Sequence, residues 1–373
     1  MVLFHNDDFD GVKDKDQAPK YNGDKPVFPV RDFISEKKTS NNDQNNNNAT
    51  AASVSQDEKN FNLEYVAKYG TDRTFKRKIV WTNAIGFLVL HLAGVYGLYL
   101  SFTDAKLLTT IWSNNILFTV LVVFAFASEG VTLGAHRLWT HRSYKVKLPL
   151  SINCLWVWVR DHRQHHRYSD TDADPHNANR GFFFSHIGWL MSKKHPLVKE
   201  AGRTIDMSDL EADPLIMLQK KYYKTFYVIF SLVLPTMVPV ILWNETLLNS
   251  LMVSFVTRTV VVLNFTWSVN SVAHFFGFKA YDKNIRPVES TLVSFISLGE
   301  GWHNYHHSFP WDYKAAELGI PFNFSSSIIR WFQRQGWAYD LKEASQDTVR
   351  ILFQNSYKSV FIPSPHNPVT NGQ

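Results

Sequence analysis

Four long apolar runs limit what this chain can fold into. They cover approximately residues 79–100, 111–134, 227–243 and 251–276 of the 373. A bilayer's hydrocarbon core is about 30 Å thick, and roughly 20 apolar residues cross it as a helix. Inside lipid every backbone N–H and C=O must be satisfied within the segment, so such a run is helical. The reading is an all-α integral membrane protein with four transmembrane helices. KRK (76–78) precedes the first run and lies on the cytosolic side by the positive-inside rule. SFTDAKLLTT (101–110) turns the chain, and NETLLNS (244–250) makes a hairpin of the last two runs. NET (244–246) is a glycosylation pattern, but it lies too close to the membrane to count.

Where the second run returns to the cytosolic face, histidines begin to recur at fixed spacings. GAHRLWTHR (134–142) holds His136 and His141 as H-x4-H. DHRQHHRYSDTDADPHN (161–177) holds His162, His165 and His166 as H-x2-H-H, and GEGWHNYHH (299–307) repeats that spacing with His303, His306 and His307. With His274 these make nine of the fifteen histidines. Positions i, i+3 and i+4 share a helix face, so each H-x2-H-H aims three rings the same way. Five residues turn an α-helix by roughly 140°, so the H-x4-H pair straddles a helix end. Neutral imidazole ligates zinc, copper, iron and nickel, and eight or nine such rings suit two metals rather than one tetrahedral ion. A lone histidine is ordinarily satisfied or solvated. His5 reads as part of a solvated tail, His91 as hydrogen-bonded against another helix, and His186 and His195 as interfacial or solvated.

The remaining composition agrees with a membrane protein. The formal charge of +6 with 15% aromatic residues favours a lipid bilayer over nucleic acid as the basic face's partner. A single cysteine, Cys154, excludes an internal disulfide framework and suits catalytic regions facing the cytosol. Residues 1–60, with NNDQNNNN at 41–48, are too polar to bury a core and read as a disordered cytosolic arm. No signal-peptide pattern opens the chain. FFFSHIGWLMSKKHP (182–196) sets aromatics beside lysines, as in a helix lying in the membrane interface. Residues 346–373 read as a Pro-rich tail after a domain spanning 61–345.

Imidazoles without thiolates or an evident ligand carboxylate point toward oxygen chemistry. The H-E-x-x-H protease pattern is absent, because Arg137 and Arg163 follow the leading histidines. Hydrolytic zinc uses fewer ligands and keeps an open position. Iron activates dioxygen toward an unactivated C–H bond. Ligating imidazoles need acceptors behind them, and Asp161, Asp170, Asp174 and Glu300 are placed for this, or are surface carboxylates. Asn270 precedes His274 by one helical turn and reaches the metals directly or through a water.

GAHRLWTHRSY, DHRQHHRYSDTDADPHNANRGFFFSHIGW, SVNSVAHFFG, YDKNIRP and GEGWHNYHHSFPWDY together resemble the membrane di-iron acyl-CoA desaturases, the stearoyl-CoA (delta-9) group and its insect relatives. The resemblance extends over roughly residues 60–345. It implies a cytosolic helical cap over the four spans, holding two iron ions (Fe2+) on His136, His141, His162, His165, His166, His274, His303, His306 and His307, with Asn270 acting through water. It implies O2-dependent formation of a cis double bond, delta-9 in that group, in a long-chain acyl-CoA. The acyl chain would thread a kinked tunnel, its bend lined by Trp158, Thr266 and Val269 with Leu190 nearby. The closed end would lie at Phe124 and Ser128. The coenzyme A head would meet Asn83, Arg160, Asp161, Lys193, Lys194 and Trp267, since phosphates favour Arg and Lys donors. HPLV (195–198) is not a haem-binding HPGG, so electrons are expected from separate cytochrome b5 and its NADH-dependent reductase. The expected location is the endoplasmic reticulum membrane, multi-pass, with both termini cytosolic.

One stretch departs from that family. RSYKVKLPLSINCLWVWVRD (142–161) is roughly eleven residues shorter than the usual connection, about three helical turns. A polar residue expected near the tunnel bend has no counterpart there. The alternatives to a desaturase are a hydroxylase of the same histidine-box class, a catalytically inactive membrane protein keeping the fold, and a zinc-holding receptor.

Overall fold

The computed structural model describes residues 70–114, 130–147, 156–317 and 319–361. Its principal helices are α1 (Trp81–Thr103), α2 (Leu107–Asn114), α3 (Gly130–Thr140), α4 (Trp156–Tyr168), α5 (Tyr223–Trp243), α6 (Leu247–Phe275), α7 (His303–Ser308), α8 (Phe324–Arg334) and α9 (Gln346–Phe361). Among the described residues α1, α5 and α6 are long and apolar enough to cross a membrane. They match the first, third and fourth predicted runs, α5 and α6 starting about a turn earlier. Most of the second run, residues 115–129, lies outside the described residues. Its ends belong to α2 and α3.

Helices in lipid gain nothing from hiding apolar surface, so they associate where small residues let backbones meet. Gly94 and Gly97 of α1 face α6. A Cβ on Gly97 would collide with Thr257 Oγ1 and the Met252 carbonyl, and one on Gly94 would lie 2.9 Å from Val260 Cγ2. Helix α5 contains Pro235 and Pro239, which cannot donate to the carbonyls of Ser231 and Pro235 four residues back. Those carbonyls accept instead from Arg258 Nη2 at 2.7 Å and Trp112 Nε1 at 3.3 Å. The arginine inside a span thus serves a proline-interrupted helix.

Polar groups also cross-link the bundle. His91 Nδ1 lies 2.7 Å from the Phe87 carbonyl, and Asn264 joins His91 Nε2 (3.1 Å) to His186 Nε2 (3.1 Å). His91 is therefore hydrogen-bonded between helices, as expected. His186, half-buried, is hydrogen-bonded at both ring nitrogens, its Nδ1 meeting Ser271 Oγ at 2.8 Å. His195 accepts from the Leu197 N–H at 3.2 Å and packs its ring 4.2 Å from Phe75.

Helix α8 packs against α3. Ile329 of α8 joins Leu133, Leu138, Tyr144 and Tyr313 in one buried cluster, beside a two-residue ladder of β1 (Lys145–Val146) with β2 (Ala338–Tyr339). Residues 70–80 form a strap along the 170–195 loop, with Asp72 N donating to Asp172 Oδ2 at 2.7 Å and Lys193 N to the Lys78 carbonyl at 2.8 Å. The stretch 182–196 is no single interfacial helix. It is a short helix (Phe182–His186), a 3-10 turn (Gly188–Met191) and then extended chain, with Phe182 and Phe183 exposed. The predicted tail opens with α9, because Ser345 Oγ accepts from the Thr348 N–H and Val349 and Leu352 pack against Tyr281 and Phe309.

Candidate metal centre

The H-x4-H pair sits on the helix least expected from its sequence. α3 is wound as a π-helix, with His141 N bonding the His136 carbonyl at 3.1 Å. An i→i+5 bond returns the chain almost to its starting face after five residues, so both rings point the same way. His136 lies within the helix and His141 just past its end, so the pair does straddle a terminus.

Nine imidazoles converge in two groups: His136, His141, His162, His166 and His306, and His165, His274, His303 and His307. The expectation that each H-x2-H-H serves one direction needs correction. On α4 the i, i+4 pair His162 and His166 joins the first group while His165 turns to the second. On α7 the i, i+4 pair His303 and His307 joins the second while His306 turns to the first. Each motif therefore feeds both positions, because residues three apart diverge enough around the helix to straddle two adjacent sites. The groups touch where the His166 and His307 rings stack at 4.2 Å.

Nitrogen spacings test whether metals fit. His306 Nε2 lies 2.9 Å from His136 Nε2 and 3.0 Å from His166 Nε2, and His166 Nε2 lies 3.2 Å from His162 Nε2. His307 Nε2 lies 3.3 Å from His165 Nε2 and 3.1 Å from His303 Nε2, which lies 3.2 Å from His274 Nε2. Two nitrogens bound about 2.05 Å from one ion are about 2.9 Å apart at right angles and about 3.3 Å apart at the tetrahedral angle. The spacings match the edges of such coordination polyhedra. Hydrogen bonds cannot replace the ions. His136 and His165 present their Nδ1 to Glu300 (2.9 Å) and Asp174 (2.8 Å), leaving bare lone pairs at Nε2. One ring nitrogen at His306 or His307 cannot donate to two neighbours. Burial, reinforced by neighbouring imidazoles, holds His141, His162, His166, His303, His306 and His307 well below the usual histidine value, hence neutral, the form that ligates metal.

Three of the predicted acceptors stand behind the rings. Asp174 and Glu300 meet His165 and His136 as above, and Asp170 Oδ1 lies 3.3 Å from His274 Nδ1. Burial works to raise all three carboxyls. The neighbouring histidines, and Arg137 at Glu300, outweigh it and hold them below the ordinary carboxylate range. At His165 burial pulls downward, but Asp174 outweighs it and keeps the ring basic. Asp161 is different: it pairs with Arg160 at 2.8 Å and Lys194 at 3.3 Å.

The other predicted site residues cluster in part. Trp158 stacks on His162 at 4.6 Å. Asn83 Nδ2 donates to the Leu190 carbonyl at 2.8 Å, and Leu190 shares a core cluster with fully buried Trp267 and Phe87. Thr266 donates to the Val262 carbonyl at 2.9 Å. Val269 and Asn270 are half-buried at the end of the regular part of α6, one turn before His274. Lys193 is exposed on the strap side. Phe124 and Ser128 lie outside the described residues. Sequence reasoning missed His176, whose buried ring lies 4.4 Å from His165 and whose Nδ1 is 3.5 Å from Asp174 Oδ1. It also missed Arg137, which donates to Glu300 and to the carbonyls of Tyr313 and Lys314. The repeated acidic spacing of DTDADPH and the arginines after His136 and His162 are the available signals.

This geometry coincides with a family match. The model of the family described as fatty acid desaturase aligns with residues 112–335. The chain belongs to the fatty acid desaturase family. It is 52% identical to an acyl-CoA Delta-9 desaturase of Acheta domesticus over 280 residues, covering 72% of this chain and 76% of that protein. It is 49% identical to a (11Z)-hexadec-11-enoyl-CoA conjugase of Bombyx mori (74% and 84% covered) and 48% identical to a stearoyl-CoA desaturase of Homo sapiens (74% and 77% covered). In this desaturase the two histidine groups are the candidate metal positions.

Proposed function

We propose that the protein is an acyl-CoA desaturase of the endoplasmic reticulum membrane that inserts a cis double bond, at the delta-9 position, into a saturated long-chain fatty acyl-CoA. Two C–H bonds on adjacent carbons break, the two carbons gain a π bond, and O2 with two further electrons and two protons leaves as two waters. The electrons come from cytochrome b5 and its NADH-dependent reductase. When bound, two iron ions supply the activation of O2. The first would be held by His136, His141, His162, His166 and His306, and the second by His165, His274, His303 and His307 with Asn270 through a water. The observation that carries this reading is the pair of imidazole groups with metal-edge spacings in a chain of this family.

The protein's own residues divide the remaining work. Glu300, Asp174 and Asp170 fix the rings they face so that Nε2 stays free. Trp158, against His162, is set to hold the acyl chain beside the metals, with Thr266, Val269 and Leu190 completing the bend. Position then follows from shape and proximity. Arg160 and Lys194, with Lys193, Asn83, Asp161 and Trp267, receive the coenzyme A head. A bulky residue in place of Phe124 or Ser128 is expected to shorten the accepted chain.

Relatives named for Delta-9, Delta(11), Delta12 and conjugase activities differ in product, so the bond position is the part to test. The chain is expressed in desaturase-deficient yeast and double bonds are located by mass spectrometry of derivatised fatty acids. Delta-9 monoenes are expected. Hydroxylated chains would favour the hydroxylase reading, and unchanged lipids with stable protein the inactive one, to which the short 142–161 connection lends weight.

A further inference from the structure

The carboxylates that face His165 and His274 sit on the irregular loop 169–177, not on a helix. Asp170 in that loop has φ +60°, a left-handed conformation that costs free energy at a residue with a Cβ and persists where its surroundings fix it. Part of what fixes it comes from 99 residues earlier, in the strap before the first span. Thr71 Oγ1 donates to the Asp170 carbonyl at 3.2 Å and accepts from Asn177 Nδ2 at 2.7 Å. The same carbonyl accepts from Asn179 Nδ2 at 2.6 Å. Asp172 N donates to the Gly70 carbonyl at 3.2 Å, Asp72 N to Asp172 Oδ2 at 2.7 Å, and Arg180 Nη2 to Asp172 Oδ1 at 2.6 Å. Phe75 adds a packing contact, its ring 4.2 Å from that of His195 and 5.3 Å from the Arg180 guanidinium.

The bonds from Thr71 end on a residue that serves two rings. Asp170 Oδ1 lies 3.3 Å from His274 Nδ1. Asp170 N donates at 2.8 Å to Asp174 Oδ2, the oxygen that faces His165 Nδ1 at 2.8 Å. A shift of Asp170 therefore moves the partner of His274 and loosens the partner of His165. Both rings belong to the four-histidine group. Asp170, Asp172, Asp174 and Asn177 are buried, so a bond lost among them is poorly replaced by solvent. The strap's far end is fixed as well: Val80 N donates to the Met191 carbonyl at 2.8 Å, and α1 begins at Trp81. The carboxylate loop is thus tied to the start of the first span. Without the Thr71 hydroxyl, the Asp170 carbonyl would keep Asn179 and the loop would keep Asp172, so the expected effect is a loosening and not a collapse.

We propose that Thr71 is a positioning residue for the four-histidine position: acting through Asp170, its hydroxyl holds the carboxylates that orient His274 and His165. This rests on the desaturase reading above. The test uses the full chain in lipid nanodiscs, loaded anaerobically with ferrous iron and challenged with excess ferrous chelator. In Thr71→Val, which keeps the shape and removes the hydroxyl, one of the two irons should leave about fivefold faster than in the parent, the worth of one neutral hydrogen bond, and the other at the parent's rate. Thr71→Ser, which restores the hydroxyl, should release both irons as the parent does. Asp172→Ala cuts the strap's other anchor with Thr71 in place; it should accelerate the same single iron and stands in if Thr71→Val misfolds. Equal acceleration of both irons, acceleration of neither, or the same acceleration in Thr71→Ser overturns the inference and leaves the desaturase reading intact. A parent chain that takes up no pair of irons removes both.

Discussion

Replacing Glu300 with glutamine probes a buried arginine–carboxylate pair of the centre. Arg137 is 1% exposed and donates through Nε at 3.1 Å and Nη2 at 2.8 Å to Glu300 Oε1, while Oε2 receives His136 Nδ1 at 2.9 Å. Burial works to raise the Glu300 carboxyl, but Arg137 and His136 outweigh it and lower it from 4.5 to about 2. At about 1.4 kcal/mol per unit that difference contributes on the order of 3 kcal/mol. The folded value is depressed, so the contribution is fully present above about pH 4.5 and is lost as pH falls toward about 2. Breaking a buried pair by removing one partner costs about 3–5 kcal/mol, an independent figure of the same size. Glu300→Gln should therefore lower the unfolding midpoint at pH 7 by several degrees in thermal scans of the detergent-solubilised protein. Adding Arg137→Met should recover much of the loss, because no unpaired buried cation remains. A Glu300→Gln protein within about 0.5 kcal/mol of the parent at neutral pH would refute the reasoning.

Other consequences follow from the same geometry. His162→Ala and His306→Ala each remove a ring of the five-histidine group and should abolish double-bond formation in yeast lipids; either variant retaining activity would remove that residue from the ligand set. Glu289 is buried with Oε1 accepting from the Tyr305 N–H at 2.6 Å, and burial, with Glu317 nearby, lifts it to about 8. A raised carboxyl binds more protons folded than unfolded, so stability should fall as pH rises from about 4.5 to 8. Glu289→Gln should flatten that slope in thermal scans across the window, and an unchanged slope would show that Glu289 is not its source. Gly97→Val should push α1 off α6 and sharply reduce the yield of folded protein, since the obstructing Met252 carbonyl is backbone. Normal yield and midpoint would show the two helices pack otherwise.

Much of this was legible in the sequence because its signals are physical necessities. An apolar run of membrane length has only one structure open to it, so α1, α5 and α6 fall where hydropathy places them. Histidines recurring at i, i+3 and i+4 announce a ligand cluster, and the carboxylates among them, Asp170, Asp174 and Glu300, sit where ring nitrogens need acceptors. What spacing could not convey was the winding of α3. An α-helix would splay His136 from His141, and only the i→i+5 bond aligns them. Nor could spacing tell which ring of H-x2-H-H turns to which position, since that depends on α4 and α7 facing each other across the centre. The partners of His186, Asn264 and Ser271, lie on a helix more than 75 residues away, beyond the reach of local spacing. Asp161, also expected behind a ring, pairs with Arg160 and Lys194 instead, partners that spacing alone does not reveal.

The central claim is that nine imidazoles hold two irons. It is tested most directly by metal analysis of the purified full chain together with X-ray absorption at the iron edge. The account predicts two irons per chain in a shell dominated by nitrogen at about 2.0–2.2 Å. One iron, zinc in its place, or a shell containing sulfur would contradict it.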